Sequence, residues 1–184
     1  MQWTKKIIYG FLIGVLLFTP LGWWQARHQL LEFSHPYFLQ IPLWVPFAYG
    51  LCFLFVIFLF PFLEKILTAT FTFDHRFIFW EFIIIILVMM MPVFTESYPF
   101  LILFIFSIYI VARFGFFHAK WDWLFFLIGA LLATTVEMML TSFNLYHYSD
   151  PDFWELPFWV PFQWGIIAMS CRRIAYVVED LSRV

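Results

Sequence analysis

Six runs of apolar residues, separated by short polar segments, leave this chain few ways to fold. They cover Ile7–Trp24, Leu43–Leu63, Phe77–Val93, Tyr98–Phe117, Trp121–Leu140 and Phe158–Ile174. Crossing a hydrocarbon core of about 30 Å takes roughly 20 helical residues, and these runs are of that order. None alternates apolar and polar residues as a barrel strand does, so each is expected to be a helix. With 64% hydrophobic and 12% charged residues, the chain has too few charges to coat a soluble domain of its length. Loops are short and none is a Gly/Ser linker. The expectation is an all-α polytopic membrane protein, one six-helix transmembrane domain over residues 1–184.

The charges orient it. With six spans, the N-terminus, the second and fourth loops and the C-terminus share one side. That side carries Lys5, Lys6, Lys65, Arg76, Arg113, Lys120, Arg172, Arg173 and Arg183, and the other carries Arg27 alone. Positive charge favours the cytoplasmic side, so both termini are expected there. Lys5 and Lys6 ahead of an apolar run also suit a signal peptide. The run ends, however, in Pro20-Leu21-Gly22-Trp23-Trp24 with no small-x-small cleavage site, so it is expected to persist as a span. Cys52 and Cys171 are read as packing residues, not a disulfide framework.

A fifteen-residue segment occurs twice. Pro36–Gly50, PYFLQIPLWVPFAYG, returns 115 residues later as Pro151–Gly165, PDFWELPFWVPFQWG, with eight identities. Four spans separate the copies, so the repeat is parallel and relates hairpin 1–2 to hairpin 5–6. Pro46 and Pro161 suit a first helical turn, where the missing N–H has no partner to lose. Pro42 and Pro157 hold the approach extended. Trp44 and Trp159 are expected at headgroup depth. The motif by itself is accounted for as a helix-start and anchoring device. Inverted repeats would point to an alternating-access transporter, and a parallel repeat lowers that reading.

Polarity within the spans concentrates in the C-terminal hairpin. Glu137 lies about 24 Å along a helix from Trp121, in the outer leaflet. A carboxylate facing lipid there is costly, so it should face protein or a wet cavity. Ala130, Ala133, Thr134, Thr141 and Asn144 share its face at helical spacing. Gln163 and Ser170 share a face of the sixth span. Across the 115-residue offset Glu137, Thr141, Gln163 and Ser170 become Gly22, Ala26, Ala48 and Phe55, whereas Thr134 and Asn144 remain polar as Thr19 and Gln29. The last two therefore fit a common frame. Glu137 supports two readings, a ligand or acid–base group and an interhelical hydrogen bond.

Outside the membrane, His28, Glu32, His35, His147, Asp150, Asp152 and Glu155 lack metal-ligand spacing and read as solvated loops. Glu81 is expected to reach headgroups or Arg76, and Asp122 to be an interfacial helix-start charge. No phosphate-cradling loop, catalytic serine motif or nucleic-acid surface is present, and no cofactor is expected.

Leu132–Phe153, LATTVEMMLTSFNLYHYSDPDF, with Trp159-x-Pro161, Arg172-Arg173 and the earlier Trp44-Val45-Pro46, resembles the insulin-induced gene (Insig) family, in its prokaryotic type. The resemblance implies six spans with cytoplasmic termini and a non-enzymatic lipid-binding bundle. It also implies homo-oligomers among prokaryotic relatives, and sterol sensing with membrane-protein partners among animal ones. Such a protein resides in the bacterial inner membrane, or in the endoplasmic reticulum of a eukaryote. Arg113–Lys120 departs from the family in lacking its cytosolic aspartate, with Asp122 nearby but differently placed.

The leading expectation is an integral membrane protein binding a lipid or sterol-like amphiphile between helices. Glu137, Thr134, Thr141, Asn144, Gln163 and Ser170 are the candidate ligand residues, and Phe-rich walls would meet the tail. The alternative is an enzyme acting on an isoprenoid or other membrane-dissolved lipid, with Glu137 as acid and Asp152 or His147 as second group. A scaffold without ligand is the third.

Overall fold

A computed structural model describes residues 2–37, 39–67, 77–95, 98–116 and 119–183. Phe38, Arg76 and Phe117, invoked above, lie outside them, as does the Arg183 side chain. Six helices account for the described chain: α1 (Gln2–Arg27), α2 (Trp44–Ile66), α3 (Ile78–Thr95), α4 (Pro99–Phe116), α5 (Asp122–Ser142) and α6 (Val160–Arg183). The first five are long and apolar enough to cross a membrane. α6 is less apolar because Arg172, Arg173, Glu179 and Asp180 extend it. It can carry them because it is the central helix, packed against α1, α2, α3, α4 and α5. Its residues Gly165–Ala175 are buried without interruption. The fold is that of an integral membrane protein with six helices, as expected. Lys6 near the start of α1 pairs with Glu179 near the end of α6 at 3.6 Å, which puts both termini at one end of the bundle.

The repeat is structural down to the backbone. Positive φ values occur at Gln29 and Asn144, Leu39 and Trp154, and Gln40 and Glu155, three pairs each 115 apart. Turn hydrogen bonds repeat likewise: Leu30 N donates to Gln25 O and Leu145 N to Leu140 O, while Val45 N donates to Pro42 O and Val160 N to Pro157 O. Pro46 and Pro161 sit in first helical turns as expected.

Two short strands join the copies and were not anticipated. β1 (Leu31–Phe33) and β2 (Tyr146–Tyr148) pair antiparallel, with Leu31 opposite Tyr148, Glu32 opposite His147 and Phe33 opposite Tyr146. Under the offset Leu31 maps to Tyr146 and Phe33 to Tyr148, so the pairing maps onto itself. A local two-fold axis runs through Glu32–His147. It also exchanges Ser34 N donating to Leu145 O with Ser149 N donating to Leu30 O.

Each hairpin closes on a glycine. A Cβ on Gly14 would fall 2.7 Å from Tyr49 O, and one on Gly129 would fall 2.9 Å from Trp164 O, so the backbones touch as small residues allow in membranes. Both partner atoms are main chain and cannot step aside. Gly129→Val should therefore lower the thermal midpoint in detergent by overpacking worth about 1–3 kcal/mol. An unchanged midpoint would show that the hairpin has slack.

The tryptophans of the motif part company. Trp44 is exposed as expected of an interfacial anchor, but Trp159 is buried. Each packs edge-on against a strand ring, Trp44 on Phe33 at 6.3 Å and Trp159 on Tyr148 at 6.0 Å. The difference arises because α2 is peripheral and α6 central.

Candidate functional site

Glu137 sits near the outer end of α5 and accepts hydrogen bonds from two tyrosines of β2. Tyr146 Oη and Tyr148 Oη both donate to Oε2, the latter at 3.1 Å. Alternate residues of a strand face one way, which is why two tyrosines two apart converge on one oxygen. Burial and the adjacent carboxylate push both phenols well above their ordinary value, so they remain protonated donors. The Trp164 indole N–H also lies beside the Glu137 carboxylate, buried with it. The offset turns Tyr146, Tyr148 and Glu137 into Leu31, Phe33 and Gly22, so this polar cluster exists in one copy only.

The cluster caps a cavity of about 420 Å³ between α2 and α5, within the range of small-molecule sites. Glu137, Tyr146 and Tyr148 line its outer end together with Gln25, Tyr49 and Gln163; Val56, Leu59, Phe60 and Ile128 line its depth. From Trp44 to Phe60 it follows α2 for about 24 Å, most of a bilayer core. Its rim residues Leu51 and Phe55 on α2 and Leu132 and Val136 on α5 are exposed, so the cavity opens sideways. A polar end and a long apolar channel are what an amphiphile needs.

The two-fold relation explains where the cavity is. It maps α1 onto α5 and α2 onto α6. α1 packs against α6, and α3 packs against both, whereas α2 and α5 scarcely touch. The cavity thus lies at the place that mirrors the seat of α3.

Of the six candidate ligand residues, Glu137 and Gln163 line the cavity and Thr134, Thr141, Asn144 and Ser170 do not. Thr141 Oγ1 donates to its own helix at Met138 O, 3.1 Å away. Asn144 is the left-handed residue after α5, matching Gln29 after α1, as a frame residue should. Ser170 is fully buried in the central helix. Ala133 does line the cavity, so the expected face is present but narrower than helical periodicity implies. Gln163 Nε2 donates to Val88 O at 3.0 Å, and Gln25 Nε2 to Met89 O at 2.9 Å. Pro92 lacks the N–H that Val88 O would accept within α3. Gln25 was missed because the first apolar run ends at Trp24, whereas α1 continues to Arg27.

His147 and Asp152 lie away from the cavity lining. The exposed His147 Nε2 meets Glu32 Oε2 at 3.1 Å. Asp152 Oδ2 accepts from Phe158 N at 3.1 Å. Among the described residues no group of His, Cys, Asp or Glu suits a metal ion. Cys52 and Cys171 are free thiols, and both reach the cavity wall.

The end of the bundle that holds both termini carries a second polar system, which corrects two expectations. Glu81 does not reach headgroups and Asp122 is not a solvated interfacial charge: both are buried. Glu81 Oε1 pairs with Arg113 at 2.8 Å and with Arg173 at 3.3 Å, while Asp122 pairs with Arg172 at 2.8 Å and Arg173 at 2.7 Å. Glu64 Oε1 meets Arg172 Nε at 2.5 Å, and the Arg172 guanidinium lies 4.3 Å from the Phe125 ring centre. Three acids and three arginines therefore tie α2, α3, α4, α5 and α6 together. Three of the basic residues that set the orientation are thus internal.

No protein-family model matches the chain, and no curated protein matches it in sequence. Among solved structures it is similar to a mycobacterial Insig homolog from Mycobacterium vanbaalenii, with a TM-score of 0.74 over 93% of this chain and 94% of that one at 12% identity. A cross-linked trimer of that protein gives a TM-score of 0.73 at the same identity and coverage. The likeness is one of fold: the chain has the Insig-like architecture that its sequence motifs suggested.

Proposed function

We propose that this integral membrane protein binds a lipid or sterol-like amphiphile in the cavity between α2 and α5, as a sensor or regulator. The observation that carries the proposal is the cavity's polarity. One carboxylate, held by two tyrosines, sits at the outer end of an otherwise apolar channel that opens sideways. The head would be a hydroxyl, which can donate to the Glu137 carboxylate beside Tyr146, Tyr148 and Trp164. The tail would lie along Val56, Leu59, Phe60 and Ile128. Sideways access suits a ligand already dissolved in the bilayer. Gln163 would flank the head; Thr134, Thr141, Asn144 and Ser170 would act through packing. The trimeric state of the mycobacterial Insig homolog supports a homo-oligomer here.

Native mass spectrometry of gently purified protein tests both points. The expected spectrum shows a retained lipid mass and an oligomer, and Glu137→Leu should weaken retention about 10–100-fold, the value of a charge-assisted hydrogen bond. Absence of any lipid mass, or retention undiminished by Glu137→Leu, would sink the binding proposal.

A further inference from the structure

We propose that Gln25 and Gln163 form a relay through which an occupant of the cavity fixes the outer end of α3. The inference rests on the cavity reading above and adds a conformational consequence to it.

α3 carries Pro92 in its interior. A proline there removes the N–H owed to the carbonyl four residues back and crowds that turn, so the helix has a natural hinge. The carbonyl four back is Val88 O, and it accepts instead from Gln163 Nε2; the next carbonyl, Met89 O, accepts from Gln25 Nε2. The two donors come from α6 and α1, the helices between which α3 is seated. Both glutamines are buried, at 4% and 2% exposure, yet both line the cavity, as does Met89. Neither amide has a counterpart in the other copy of the repeat, where Leu140 and Ala48 stand. They are therefore additions to the common frame, placed where the cavity and the hinge share a wall.

An amide that gives one N–H to α3 still has a second N–H and its oxygen. A hydroxyl or carbonyl of the occupant that engages either group holds the amide in place and polarises its bond to α3. It also keeps water from competing for the Val88 and Met89 carbonyls. α3 then has two arrangements, with its hinge carbonyls held or released, and the occupant favours the held one. Such a bias is limited to the difference in its affinity for the two. The lower end of α3 does not follow, because Glu81 is fixed there by Arg113 and Arg173.

The test is hydrogen–deuterium exchange of the full chain in phosphatidylcholine nanodiscs, with and without oleyl alcohol as probe, and with probe retention read by native mass spectrometry. Peptides covering Met89–Thr95 should exchange more slowly with the probe, by about fivefold or more, the low end of coupling between sites. Peptides covering Ile78–Leu87 should not change. In Gln25→Leu/Gln163→Leu, Met89–Thr95 should exchange fast whether or not the probe is retained. Retention by the native chain without slowing at Met89–Thr95 overturns the relay and leaves the cavity reading standing. Slowing that survives in the double variant also overturns it. Failure of the native chain to retain the probe overturns both. The native comparison decides the matter even if the double variant does not fold.

Discussion

Arg172→Met should destabilise the bundle by about 3–5 kcal/mol, because it strands buried carboxylates that have lost their cation. Arg172 is wholly buried and joins Glu64 on α2 to Asp122 on α5. Its loss leaves the Glu64 carboxylate without its cation and Asp122 with Arg173 alone. Methionine keeps much of the volume and the contact with Phe125, so packing loss is a small part of the effect. At the usual slope for a chain of this size, the thermal midpoint in detergent should fall by about 10 °C. The companion variant, Arg172→Met with Glu64→Leu, removes one charge of each sign and leaves Glu81 and Asp122 with Arg113 and Arg173. Buried ion pairs replaced by well-packed apolar groups are often neutral in stability, so this second variant should recover most of the loss. If the double variant is no more stable than the single one, charge balance is not what holds this end of the bundle together.

The contrast between the two polar systems shows what a sequence of this kind exposes. Apolar runs and proline–tryptophan starts are local signals, and they place all six helices, although the polar end of α6 carries it past the expected Ile174 to Arg183. Glu137 is visible because nothing else in its span is charged above Asp122. Its partners were visible too: Tyr146 and Tyr148 alternate as strand residues do, yet a three-residue strand is too short to announce itself. The acid–arginine cluster was hidden for a different reason. Glu64, Glu81, Asp122 and the arginines each stand at the end of a span, where a lone charge ordinarily meets water. Their separations of 32 to 108 residues give no periodicity to read. Thr134, Thr141 and Asn144 share a helical face with Glu137, but a cavity narrower than that face takes only part of it. Hydroxyls in a membrane helix also have a carbonyl of their own to bind, as Thr141 does. The burial of Trp159 followed from α6 being central, a fact of tertiary packing that its motif shares nothing with.

The repeat supplies a control for the outer cluster. Tyr146→Phe with Tyr148→Phe should cost about 2–4 kcal/mol, since Glu137 loses both tyrosine donors while the rings and their contacts stay. Adding Glu137→Leu should return most of that stability, because an apolar trio in place of a half-satisfied network is what the first copy already uses at Gly22, Leu31 and Phe33. Interaction among the three positions should therefore be strongly non-additive in a mutant cycle read by thermal unfolding. Lipid retention should follow a different course. It should fall in the tyrosine pair and remain lost in the triple variant, although the triple variant is folded. Stability and retention that recover together would mean that the cluster serves the bundle alone. Stability regained without retention would separate the frame, which both copies share, from a binding end that only the second copy has.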